Sequence, residues 1–165
     1  MRRITVFICA CLGAALLFAG RSDAATSTAT TFNVQITIQA ACTISVNTLD
    51  FGNAGVLATN VDSTNTVTVT CTNTTPWAVS LNGGTGSGGT VTLRRMTSGG
   101  ATVDYTIYRD SAHTQVWGDG TAGTFTVAGT GSGSGQPQTG YGRVPAQPTP
   151  AAGTYTDTIT ATVTF

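Results

Sequence analysis

Asp110, Ser111 and His113 fall within four consecutive positions. Aspartate, serine and histidine are the side chains of nucleophilic catalysis when separate elements bring them together. Here they share one polar turn, so the spacing predicts a loop with His113 on its surface. His113 is the single histidine of 165 residues, and the chain has no lysine and no glutamate. General acid–base chemistry needs titratable groups in tuned environments, and few are present. Asp104 with Asp110 or Asp119 could pair as carboxylates or hold a metal, but no calcium-loop spacing exists, and these positions read as solvated strand edges or turns. Gly83-Gly84-Thr85-Gly86-Ser87-Gly88-Gly89 has the glycine content of a phosphate-binding loop without its lysine or a following helix. Trp77, Trp117, Tyr105, Tyr108 and Tyr141 could stack on sugars, with Trp77 more suited to a core. No enzyme activity, metal, cofactor or small-molecule substrate is expected.

The elements that would position these groups begin behind a leader. Met1-Arg2-Arg3 is positive, Ile4 to Ala19 is apolar apart from Thr5, and small residues follow to Ala25. This predicts a secretory signal peptide over residues 1–24, cleaved between Ala24 and Ala25. The apolar run is short for a membrane span of about 20 residues. Cys9 and Cys11 leave with the leader. Cys42 and Cys71 remain, and in an exported chain an even pair predicts one disulfide. Arg94, Arg95, Arg109 and Arg143 then face six aspartates, a formal charge of −2 with His113 neutral. Without a basic patch, no nucleic-acid partner is expected.

Apolar residues alternate with threonine through most of the chain, which is the period of strands. Strands are predicted over Cys42–Leu49, Thr64–Cys71, Trp77–Leu81, Val91–Met96, Val103–Arg109, Gln115–Trp117, Thr124–Val127, Gly140–Val144 and Thr154–Phe165. Cys42 starts one strand and Cys71 ends another, so antiparallel pairing would let the bridge pin both. The glycine–serine run Gly129–Gly135 reads as a hairpin tip. Seven or more short strands separated by turns predict an all-β sandwich.

The two ends stand out. Phe32, Val34, Ile36 and Ile38 lie on one face of an extended N-terminal arm, residues 25–40, with Thr31, Asn33, Gln35 and Thr37 on the other. Such an arm suits insertion into another molecule's open sheet. The final segment carries Tyr155, Ile159, Ala161, Val163 and Phe165 on one face, interrupted only by Asp157. A sandwich over residues 41–165 that lacks one strand would leave an apolar groove open, and a neighbour's arm would fill it.

The chain also resembles the spore coat protein U domain family, which includes subunits of archaic (Csu-type) chaperone–usher pili. The matching pieces run through the whole mature chain: Cys42-Thr43-Ile44, Leu49-Asp50-Phe51-Gly52, Val67-Thr68-Val69-Thr70-Cys71, Pro76-Trp77-Ala78-Val79-Ser80-Leu81-Asn82-Gly83 and Leu93-Arg94-Arg95-Met96. Tyr105-Thr106-Ile107-Tyr108-Arg109-Asp110, Val116-Trp117-Gly118, Tyr141-Gly142-Arg143-Val144-Pro145 and Gly153-Thr154-Tyr155-Thr156-Asp157-Thr158-Ile159 continue the series. Their order and the closing Gly-x-Tyr-x-Asp run carry the resemblance. It implies an incomplete immunoglobulin-like β-sandwich with an N-terminal donor strand. It also implies donor-strand exchange: a periplasmic chaperone lends a strand, and the next subunit's arm replaces it at an outer-membrane usher. Phe32, Val34, Ile36 and Ile38 match the donor strand, and the C-terminal strand to Phe165 matches the edge the chaperone engages. The implied product is a shaft or adaptor subunit, secreted through the periplasm to the cell surface for adhesion and biofilm formation. A spore or cell-surface coat protein that forms no pili is the alternative, and a secreted carbohydrate-binding module using Trp117 and the tyrosines is a third reading.

Overall fold

A computed structural model describes residues 24–165. Most of the predicted signal peptide, with Cys9 and Cys11, lies outside the described residues. The chain separates at Ile36/Thr37 into a leading segment and a folded body. In the leading segment, residues 24–36 form no strand and are exposed throughout.

The body contains eight strands and, among the described residues, no helix. They are β1 (Cys42–Val46), β2 (Val61–Cys71), β3 (Pro76–Leu81), β4 (Arg94–Ser98), β5 (Ala101–Tyr108), β6 (Val127–Thr130), β7 (Gln136–Val144) and β8 (Ala161–Thr164). One sheet has the order β1-β2-β7-β5-β4, and a smaller one has the order β6-β3-β8. Every ladder is antiparallel. The period-2 pattern puts Val67, Val69 and Cys71 of β2, Trp77, Val79 and Leu81 of β3, and Val103, Tyr105 and Ile107 of β5 into one core.

Cys42 and Cys71 face each other in the β1–β2 register and are joined by a disulfide. The bridge spans a sequence separation of 29, and closing a loop of that size is worth about 3–4 kcal/mol in the chain-entropy picture. Replacing both cysteines with serine should lower unfolding stability by that order, read as a lower urea midpoint with an unchanged denaturant slope.

Several predicted elements differ in the folded chain. The Val91–Met96 strand starts only at Arg94, because Thr90 closes a turn: its N–H donates to the Leu93 carbonyl (2.8 Å) and its hydroxyl accepts from the Leu93 N–H (3.1 Å). Gly129–Gly135 is not a hairpin tip. It carries the chain from β6 in the small sheet to β7 in the large one. Gly131 donates to Thr75 O (2.7 Å) and accepts from Thr74 N–H (2.8 Å), so close to the 71–75 turn that a Cβ would overlap the Thr72 carbonyl. The segment predicted as one strand, Thr154–Phe165, is broken: Thr156 bridges to Thr97 of β4, and only Ala161–Thr164 joins β3. The alternation of half-buried and exposed positions survives the break, because crossing between sheets leaves the core on the same side.

Gln115–Trp117 forms single bridges, Tyr108 to Val116 and Trp117 to Phe125, instead of a full strand, and of predicted Thr124–Val127 only Val127 enters a strand, as the first residue of β6.

Candidate functional site

β8 is an outer strand of the small sheet and β1 an outer strand of the large one, and the two approach within 8 Å without sharing a ladder. Among the described residues, the recorded strand partner of β8 is β3 alone, so its other edge presents backbone N–H and C=O groups that a further strand could use. Along this open side, Ala161, Val163, Ile159 and Tyr155 are half-buried against the core from one flank, and Cys42 and Ile44 from the other. Phe165 and Val46 stay 57% and 48% exposed. Tyr155 also borders a cavity of about 540 Å³ whose apolar wall includes Leu49, Phe51, Leu57, Met96 and Val103. The arm residues Phe32, Val34, Ile36 and Ile38 are 72–87% exposed.

The polar groups singled out in the sequence do not converge on a reactive site. Asp110 accepts from Thr114 and Gln115, closing its own turn. His113 is not a surface residue: its side chain is 11% exposed and packs edge-on to Tyr108 and Tyr141, with Nε2 4.0 Å from Asp62. The two tyrosines come from paired strands, β5 and β7, a proximity that local sequence cannot reveal. Trp117 is fully buried and its indole N–H donates to Val79 O (3.0 Å), so it offers no face to a sugar. No cluster of three or more metal-ligating side chains occurs among the described residues.

Asp62 takes two hydrogen bonds from Arg143, at 2.6 and 2.7 Å, across the β2–β7 ladder. These hold its carboxyl below the ordinary value of 3.8. A carboxylate more acidic in the folded chain than in the unfolded one contributes stability above pH 3.8, and the contribution is lost as pH falls through the lower folded value. The Asp62→Asn variant should therefore be less stable than the parent at neutral pH, and the gap in urea midpoint should close at pH values below that window.

Arg94 and Asp157 were not foreseen as structural groups. Arg94 is wholly buried between the sheets and donates to Asn82 O (2.9 Å) and Trp117 O (2.8 Å). Burial pushes its guanidinium pKa down, partly offset by the negative charge of Asp157 and Asp119. Asp157 accepts from Tyr105 Oη (2.8 Å), and burial together with this bond pushes the Tyr105 phenol up. Two signals pointed to Asp157, its interruption of an otherwise regular apolar row and its place in the Gly-x-Tyr-x-Asp run, but neither gave its role.

The Spore Coat Protein U domain profile matches residues 28–162. "Protein U" of Myxococcus xanthus is 34% identical over the full length of both chains. A chain in the crystal structure of the CsuC–CsuE chaperone–tip adhesion subunit pre-assembly complex, from the archaic chaperone–usher Csu pili of Acinetobacter baumannii, superposes with a TM-score of 0.55 at 27% identity. That superposition covers 78% of this chain and 40% of the solved one, so this chain spans well under half of that neighbour's length. The antiparallel two-sheet body is the β-sandwich expected from the strand pattern, and it is consistent with the immunoglobulin-like architecture that the family resemblance implied. With its family profile spanning most of the sequence and a relative aligned end to end, the chain belongs to the Spore Coat Protein U domain family.

Proposed function

We propose that this protein is a non-enzymatic structural subunit of a chaperone–usher pilus that polymerises by donor-strand exchange. The observation that carries the reading is the pairing of two unmet needs: an edge strand, β8, with a single recorded ladder, and an exposed arm whose alternation matches a strand's. Phe32, Val34, Ile36 and Ile38 of one copy would lie along β8 of the next, over Tyr155, Ile159, Ala161, Val163 and Phe165. Burying those four arm side chains contributes about 6–12 kcal/mol as an upper estimate, before ladder hydrogen bonds. A periplasmic chaperone would occupy the edge first and an outer-membrane usher would hand it over. The export signal would be removed between Ala24 and Ala25, and the product would be a cell-surface fibre serving adhesion and biofilm formation.

The test is electrophoresis of surface extracts with and without boiling. Donor-strand polymers give a ladder that boiling collapses to monomer, because dissociation requires unfolding. A single monomer band under both conditions would refute the reading.

A coat-layer role without pili is the second reading, favoured by the end-to-end likeness to Protein U. A chaperone and an usher encoded beside this chain favour pili, and their absence favours the coat. The carbohydrate-module reading loses Trp117, which is sealed in the core.

A further inference from the structure

The glycine run Gly83–Gly89 is shaped around an anion that the chain itself supplies. Asp157 Oδ1 accepts from the backbone N–H groups of Thr85 (2.7 Å), Gly86 (2.9 Å) and Thr158 (2.7 Å), and from Thr85 Oγ1 (3.2 Å). Oδ2 accepts from Tyr105 Oη. Hydrogen bonds to an ionised acceptor are roughly twice as strong as neutral ones. Gly84 sits at φ +82°, and a Cβ there would overlap the Asp157 carboxylate; a Cβ on Gly86 would overlap the Arg95 carbonyl. The loop can reach Asp157 and β4 at once only as glycine at these two positions.

Asp157 stands where the last segment changes sheets. Immediately before it, Thr156 and Thr97 exchange backbone hydrogen bonds of 2.9 and 3.1 Å beside β4. After it, Thr160 is fastened twice to Asn82, its N–H to Asn82 Oδ1 (2.9 Å) and its carbonyl to the Asn82 N–H (3.1 Å). Asn82 is itself held through its carbonyl by the buried Arg94. β8 begins at the next residue. Its start is therefore set by a polar network extending from β4 and β5 through Asp157 and Asn82, while among the described residues its ladder partner is β3 alone.

We propose that Asp157, cradled by the Asn82–Gly89 loop, is a positioning residue that holds the edge of β8 in place for a strand arriving from a second copy of this chain. The role rests on the donor-strand reading given above. Without the cradle, β8 still has apolar residues to bury, but its edge is not fixed relative to β4, and an incoming arm has to order it on arrival.

The test uses the full exported chain carrying Asp157→Ala, with Asp62→Ala as a second charge removal on the other sheet. Two readouts are followed: amide exchange in peptides covering Ala161–Thr164 against those covering Val67–Cys71, and the rate at which the heat-sensitive ladder forms. The expected result for Asp157→Ala is exchange at Ala161–Thr164 about 10-fold faster, with Val67–Cys71 unchanged, and a ladder about 10-fold slower than in Asp62→Ala. Equal exchange in β8 of parent and variant, equal loss in both regions, or equal ladder rates in the two variants overturns the proposal. If Asp157→Ala fails to accumulate, Tyr105→Phe removes one bond to the same carboxylate and should raise β8 exchange selectively; no change there overturns the proposal too. A parent chain that forms no ladder removes the donor-strand reading, whereas the exchange comparison still decides whether Asp157 holds β8.

Discussion

An aspartate at position 36 is expected to abolish polymers, leaving boiled and unboiled samples with the same monomer band. In the proposed fibre, Ile36 faces the apolar side of β8 in the middle of the arm. Losing a buried isoleucine costs about 1.5–3 kcal/mol. Placing an unpaired carboxylate there adds several kcal/mol of desolvation. A total of about 5 kcal/mol or more corresponds to a loss of roughly 10³- to 10⁴-fold in the stability of each subunit junction. The informative companion is Asn33→Asp, which adds the same charge on the opposite face of the arm, where it stays in water. That variant should polymerise like the parent. Equal behaviour of the two variants would mean that the arm's faces are not distinguished and that no strand is donated.

The second large effect is structural. Trp117→Ala should lower unfolding stability by about 3–5 kcal/mol from lost packing. The Val79 carbonyl loses its donor as well, which adds about 1–3 kcal/mol if it stays buried. A domain of this kind has about 5–15 kcal/mol in total, so the variant should be close to unfolding at room temperature. Near-ultraviolet circular dichroism and thermal melts measure this directly. Trp117→Phe fills most of the space and should show a smaller loss. A Trp117→Ala chain that melts with the parent would contradict a buried Trp117 and return it to the surface, where the sugar-stacking reading placed it.

These outcomes test different levels of the same reading. Ile36→Asp leaves the body intact and acts at the junction between copies. Trp117→Ala acts on the body, whatever the arm does. A melt and a ladder measured on both variants therefore separate failure to fold from failure to assemble.

The period-2 alternation by itself marked most of the strands and the faces they turn inward. The Val67–Val69–Cys71 and Trp77–Val79–Leu81 rows needed nothing beyond it, because successive side chains of an extended chain point in opposite directions. The disulfide was legible for a related reason: two cysteines at the ends of two alternating runs can meet in antiparallel register. Which strand lies beside which was decided only in three dimensions. Alternation marks a face but names no neighbour, so Thr154–Phe165 read as one strand although its two halves serve different sheets, and Gly129–Gly135 read as a hairpin although it crosses between them. The burial of Trp117, the lodging of His113 between Tyr108 and Tyr141, and the closure of a glycine loop on Asp157 each depend on groups distant in sequence. Such contacts form because folding brings separate strands to one place, and no local spacing records that convergence.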